Sequence, residues 1–359
     1  MEKADKKAFL DTLCEAQKIA FSPFIFKTVS AALKTGLLES IVTSDAPVTR
    51  DALEDKLGLT AYAVKVMVDI LKPAGILEET PEGLTSSKVG ELLVLDEMTR
   101  ANFFFTDDVN YLALDKTLDS LLEGRPAGLA AFNPEWKTIY PHLPELPAVA
   151  QDAWFKFDHF HSDQAYKKAL TLIGYRSAHH LVDIGGNTGR FTKLFLEKFP
   201  TARATLVDLP VETEALAARP ELKDVIDRID TIAIDWLSPA KLEGTGEADI
   251  YWMSQFLDCF DHDEAVSILK RVKAAMAPGA TLAVLEPIVN QQRHQAAELS
   301  LAATSLYFTT VANGNSRFFY GSELEAIFFE AGFQLMEEYD NLGISHSLFF
   351  LRPMPEAED

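Results

Sequence analysis

The chain has 359 residues, 48% of them hydrophobic, and a formal net charge of -21. That is enough apolar material for two domains of roughly 150 residues each, and it excludes wholesale disorder. A surface this acidic repels a polyanion, and no run of Lys and Arg offsets it, so nucleic acid is disfavoured as a partner.

Cys14 and Cys259 lie far apart in the sequence. They make no disulfide framework and suit a reducing cytoplasm. Met1 to Lys7 leads into a charged amphipathic segment, which is not the pattern of a signal peptide. No stretch approaches the ~18 uncharged apolar residues of a membrane span.

In chain order, residues 1–105 read as helices followed by a small hairpin. Phe24, Ile25, Val29, Leu33, Leu37, Leu38 and Ile41 recur at helical spacing. Thr49 and Thr60 are placed to cap the next two helices. Gly75 to Glu79 and Gly83 to Thr85 read as two short strands. The pattern is that of a winged helix. Its last helix, Thr60 to Leu71, carries Lys65 against Asp69, too little positive charge to neutralise phosphates. The other use of such a domain is dimerisation. Phe9, Leu10, Leu13, Ile19, Ala20 and Phe21 on the first helix suit contact with a second copy.

Residues 106–177 read as a helical linker that also lines a pocket. It has an irregular stretch with five prolines, Pro126, Pro134, Pro141, Pro144 and Pro147. A helix rich in aromatics and histidines follows, from Trp154 to His161. Residues 178–355 alternate strands (179–184, 203–208, 229–234, 248–253 and 280–286) with helices, a parallel doubly wound sheet. Runs at 333–339 and 347–352, joined by Asn341-Leu342-Gly343, read as a terminal antiparallel hairpin. The expected fold class is α/β: a Rossmann-like domain with this hairpin, behind a mainly α winged-helix domain.

One stretch carries chemistry. Leu181-Val182-Asp183-Ile184 ends a buried strand, Gly185, Gly186 and Gly189 form a turn, and a helix follows. Glycines let backbone N–H groups approach a ligand closely. Such turns serve NAD, FAD and S-adenosylmethionine (SAM) alike. Asp208 ends the next apolar run, where a carboxylate accepts the two hydroxyls of a ribose; a loop or helix-capping aspartate is the bland reading.

With these motifs in place, the chain resembles the class I SAM-dependent methyltransferases, and more narrowly the small-molecule O-methyltransferases with an N-terminal winged-helix dimerisation domain. That group includes acetylserotonin, hydroxyneurosporene and plant phenolic methyltransferases. Asp183-Ile184-Gly185-Gly186 is similar to the family's SAM loop, and Asp208-Leu209-Pro210 to its ribose-binding segment. Asp235-Trp236 is similar to its adenine-holding pair, and Glu286-Pro287 to an active-site Glu.

The resemblance implies that Asp183, Gly185, Gly186, Gly189, Asp208, Leu209, Asp235, Trp236, Ser254 and Gln255 hold SAM. It implies S-adenosylhomocysteine (SAH) as the product and a homodimer as the assembly. By position relative to the family, Trp154, Phe157, Phe256, Tyr307 and Asn313 face a small aromatic acceptor. A role in bacterial-type secondary metabolism is a further implication, and no metal is expected.

The chain departs from the family at its catalytic positions. Where the family has Leu-His-Asp-Trp, with the His as base, this chain has Leu257-Asp258-Cys259-Phe260. The second active-site Glu falls near Ser316. Glu286 matches and Asp258 stands at the base position. Two histidines could substitute as base, His159 first and then His262, since His is the commonest general base; a packing role for His159 and a solvated loop for His262 are the bland readings. An Asp is a weak base unless burial raises its pKa. Loss of the usual His opens a second reading, a SAM-fold decarboxylase, hydroxylase or ligand-binding regulator. A winged-helix transcriptional regulator and an NAD-dependent dehydrogenase are more distant alternatives. The terminal hairpin and Asp235-Trp236 argue against the dehydrogenase.

Overall fold

The structure is a computed structural model that describes residues 3–355; Met1 and Glu2 of the opening segment lie outside the described residues. The chain divides into two compact units, Met1–Asp107 and Asp108–Asp359. The segment 106–177, read as a linker, belongs from residue 108 onward to the second unit.

In the first unit, helices cover Lys3–Ala20, Ser22–Lys34, Leu37–Val42, Arg50–Leu57 and Ala61–Leu71. The apolar run from Phe24 to Ile41 is broken in two, because Gly36 takes φ +76° and ends the helical path. Thr49 and Thr60 cap as their positions predict, accepting from Ala52 N–H at 3.3 Å and Ala63 N–H at 3.2 Å; each such cap contributes about 1 kcal/mol. Strands β1 (Leu77–Thr80) and β2 (Gly83–Ser86) pair antiparallel. Val48 bridges to Leu84 as a third edge. Val29, Leu37, Leu38, Val64, Val68 and Leu71 form the core. Phe9, Leu10, Leu13, Ile19, Phe21 and Phe24 are exposed.

The second unit opens with short helical turns through the proline-rich stretch and then a 26-residue helix, Ala148–Ile173. Its strands are β3 (His180–Ile184), β4 (Arg203–Asp208), β5 (Ile229–Ala233), β6 (Ile250–Ser254), β7 (Thr281–Pro287), β8 (Phe333–Leu342) and β9 (His346–Pro353). They form one seven-stranded sheet in the order β5-β4-β3-β6-β7-β9-β8. Pairs from β5 to β7 are parallel, and β9 runs antiparallel to both β7 and β8.

Crossovers carry the chain outward from β3 to β5 and then back to β6. The order therefore reverses between β3 and β6, and a crevice opens there at the strands' C-terminal ends. Two details shape that crevice. Strand β6 runs to Ser254, so Gln255 takes the first loop position, with φ +47°. The terminal hairpin is longer than its sequence pattern predicts and brings His346 and Ser347 opposite Pro287 and Glu286.

Candidate active site

The loop after β3 is built around two aspartates. Asp183 is buried and accepts the Thr192 hydroxyl at 2.6 Å, tying the strand end to the following helix. Burial lifts its pKa to about 7. Asp208 accepts Asn187 N–H and Leu209 N–H, one on each carboxylate oxygen and both at 2.7 Å. Each oxygen keeps a further lone pair, so two ligand hydroxyls can be added. Burial lifts Asp208 to about 6, against the pull of the two amides.

Gly185 takes φ +72°, and a Cβ there would meet the Phe256 ring at 2.3 Å. Phe256, expected to face the acceptor, thus packs on the glycine loop, with Trp236 at 6.2 Å edge to face. Gly186 and Gly189 complete the turn; Gly189 has φ +75°. These residues fit an adenosine-bearing ligand: a carboxylate with spare acceptors and a glycine backbone stand at the switch point.

Trp236 itself is buried in the core, under the Arg271 guanidinium at 5.1 Å. Asp235 is exposed and its side chain turns back to Leu237 N–H at 2.9 Å. Ser254 Oγ lies 3.5 Å from Tyr166 Oη. Gln255 is more heavily engaged. Its Oε1 meets His346 Nε2 at 2.8 Å and its Nε2 donates to Asp158 Oδ1 at 3.5 Å. His346 is fully buried, and burial lowers its pKa to about 3.

The second half of the site lies after β6, against the end of β7. Glu286 is fully buried in a strand otherwise made of core residues. Its Oε1 accepts Phe256 N–H at 3.0 Å and Leu257 N–H at 2.8 Å; its Oε2 has no partner at hydrogen-bond geometry. Asp258, 2% exposed, approaches it from the short turn Leu257–Cys259 and accepts the Cys259 thiol at 3.4 Å.

Burial pushes both carboxyls up, Glu286 more strongly because Asp258 stands beside it. Two adjoining carboxyls do not both ionise readily, so the pair retains a proton, which Glu286 holds more strongly than Asp258. The same surroundings push the Cys259 thiol well up, which leaves it protonated and inert.

The walls follow. Trp154 Nε1 donates to Tyr307 Oη at 2.8 Å. Tyr140, in the turn Tyr140–Glu145, is held by Ile139 N–H donating to Ala312 O at 3.0 Å. Asn313 clamps the turn by donating to Cys259 O, while its own Oδ1 accepts Ser316 Oγ–H at 3.0 Å. Its amide is thereby engaged within the protein. Phe157 contacts His161 at 4.6 Å, on a face where burial lowers His161 to about 4.

His159 lies beside Phe155 at 5.8 Å, and its charged neighbours are Arg190, Asp163 and Arg219. Burial is the main cause that lowers its pKa. Asp158, Tyr140 and His346 are the site residues that sequence reasoning missed. For Asp158 a signal existed: it lies four positions from Trp154, on the same helical face. His346 became legible only with the hairpin register. Among the described residues, no group of three or more His, Cys, Asp and Glu is arranged to hold a metal ion.

Fold and site together define the class: a SAM-dependent methyltransferase with a helical N-terminal domain. A family model for the O-methyltransferase domain matches residues 151–334, and one for the Dimerisation2-like domain matches residues 14–82. The chain belongs to the O-methyltransferase domain family.

It is 25% identical over 270 residues to 3-amino-4-hydroxybenzoate 4-O-methyltransferase of Streptomyces cremeus, covering 74% of this chain and 71% of the relative. It is 26% identical over 246 residues to aclacinomycin 10-hydroxylase RdmB of Streptomyces purpurascens, covering 66% and 63%. Its fold is similar to that of mitomycin 7-O-methyltransferase MmcR, with a TM-score of 0.72 at 19% identity over 98% of this chain and all of that one.

Proposed function

We propose that this enzyme methylates a hydroxyl of a small aromatic acceptor, with Asp258 as the proton acceptor and Glu286 as the group that positions and tunes it. The observation that carries this reading is the burial of Asp258 beside a Glu286 whose Oε2 is unpartnered.

SAM, when bound, supplies an electrophilic methyl on a sulfonium that is already a good leaving group. The protein's task is then to place the acceptor oxygen in line and to remove its proton. Asp208 would take the ribose hydroxyls, the Gly185-Gly186 backbone the methionine end, and Phe256 with Asp235 and Trp236 would border the adenine. Trp154, Tyr307 and Tyr140 wall a flat acceptor. Glu286, anchored by two amides, keeps a carboxyl beside Asp258 and limits the charge that the pair can carry. His159, whose charged neighbours are Arg190, Asp163 and Arg219, is assigned no proton transfer.

A homodimer through the first unit fits the exposed apolar side chains of its first helices. Two free cysteines and a chain with no helix among the described residues long and apolar enough to cross a membrane fit a cytoplasmic enzyme. Relatives named for 3-amino-4-hydroxybenzoate and aclacinomycin support a place in secondary metabolism. One of them is a hydroxylase, and together with the missing histidine this makes a non-methylating use of SAM the second reading.

The test is Asp258→Asn assayed for SAH release with a panel of phenols. We expect kcat to fall roughly 100- to 10,000-fold, the span of general-base catalysis, while SAH binding is kept. Undiminished turnover would remove Asp258 from the proton path.

A further inference from the structure

The loop after β5 starts beside Asp208. Ala233 at the end of β5 lies opposite Asp208, and Ile234 N–H donates to Asp208 O at 2.8 Å. Asp235 and Trp236 come next, so a base carried by a ribose on Asp208 falls beside this pair. Asp235 is exposed and spends Oδ1 on Leu237 N–H at 2.9 Å, which leaves Oδ2 to accept from a ligand.

Beyond Trp236 the chain has no helix or strand until β6 begins at Ile250. Its course is set by the helix His262–Ala275. Arg271 on that helix donates to Trp236 O, to Ser238 O at 2.8 Å and to Ala240 O at 3.1 Å. Its guanidinium lies 5.1 Å from the centre of the Trp236 ring. Further along, Thr245 Oγ1 and Tyr251 Oη both donate to Ala275 O at the end of the same helix, at 3.4 and 2.9 Å.

A cleft of about 780 Å³, lined by Lys241, Leu242, Val266, Lys270 and Arg271, opens between the loop and the helix. On this side the loop rests on the guanidinium fork rather than on close packing. Burial disfavours the charge of Arg271, and Asp235 is the charged group that opposes this. The fork and the carboxylate therefore act on each other as well as on one turn of chain.

We infer that Arg271 is a positioning residue for the cofactor's adenine: by holding the Asp235–Ala240 turn it sets the Asp235 carboxylate against the exocyclic amine and selects adenine over a 6-oxo purine. The inference rests on the adenine assignment of Asp235 and Trp236 made above. A lysine at this position keeps the charge but has no planar fork to span three carbonyls.

The full chain is titrated calorimetrically with SAH and with S-inosylhomocysteine, in which a carbonyl replaces the 6-amino group. Wild type should bind SAH at least about tenfold more tightly, because a carboxylate accepts from an amine and repels a carbonyl. Asp235→Asn should erase that preference. Arg271→Lys should erase most of it, weakening SAH roughly tenfold while the inosine analogue changes little.

An Arg271→Lys variant that keeps the wild-type ratio, whether or not both ligands weaken, would overturn the inference; a preference lost in Asp235→Asn would still support the adenine assignment. Equal affinity of wild type for the two ligands, or an unchanged ratio in Asp235→Asn, would remove the adenine assignment and the inference with it. Arg271→Gln, which keeps a planar donor, is the second variant if Arg271→Lys does not fold. Loss of the cooperative melt in both would assign Arg271 to stability alone and overturn the inference. The titration reads binding, so its result is independent of methyl transfer and of Asp258.

Discussion

A carboxyl in water ionises near pH 4 and takes a proton from a phenol poorly. Burial beside Glu286 changes what Asp258 can do, because the low-dielectric surroundings disfavour its charge and raise its affinity for a proton. The substitution of Asp for a histidine base was legible in the sequence. Its consequence was not, since burial depends on Tyr140 and Asn313, which arrive from distant segments.

Asp208 gives a second prediction at this scale. It accepts hydroxyls best as a carboxylate, and it ionises at about 6. SAH affinity is therefore expected to fall as pH drops through that value and to be flat above it, as read by titration from about pH 5 to about pH 8. Asp208→Ala should weaken SAH binding at least about tenfold above that pH, from the loss of two charge-assisted hydrogen bonds, and by less below it.

Among the elements, the strand–turn–helix of residues 180–198 was readable because its glycines answer to backbone geometry. Gly185 has no room for a Cβ and takes a positive φ. Gly185→Ala should lower Tm by several degrees in a thermal melt, through strain and the displaced Phe256 ring, and should weaken SAH binding. The Phe256 position shows where sequence reading ran out. One loop residue after β6 was assigned to the acceptor side by analogy, whereas the φ +47° of Gln255 turns the chain so that Phe256 covers the glycine loop. His346 was missed because a one-residue change of hairpin register moves a side chain to the other face of the sheet.

For the molecule as a whole, the acidic pocket residues set a pH dependence of stability. Asp183 ionises at about 7 in the folded chain against an ordinary 3.8. A folded pKa above the unfolded one contributes stability that is complete below about pH 4 and lost as pH rises through 7. Asp183→Asn should accordingly flatten the fall in Tm between about pH 4 and about pH 7. The apolar faces of the first unit give an expectation for assembly. Light scattering should find a dimer, and Leu10→Glu with Leu13→Glu should shift it toward monomer.

The central claim is methyl transfer with a buried carboxyl pair in place of the usual histidine, and it is tested most directly by following SAH formation from SAM over a phenol panel, for wild type and Asp258→Asn, at saturating SAM. The account predicts turnover with at least one phenol and its near-complete loss in the variant. SAH that binds tightly to wild type while no phenol yields SAH would contradict it, and would move the protein to a non-methylating use of its cofactor.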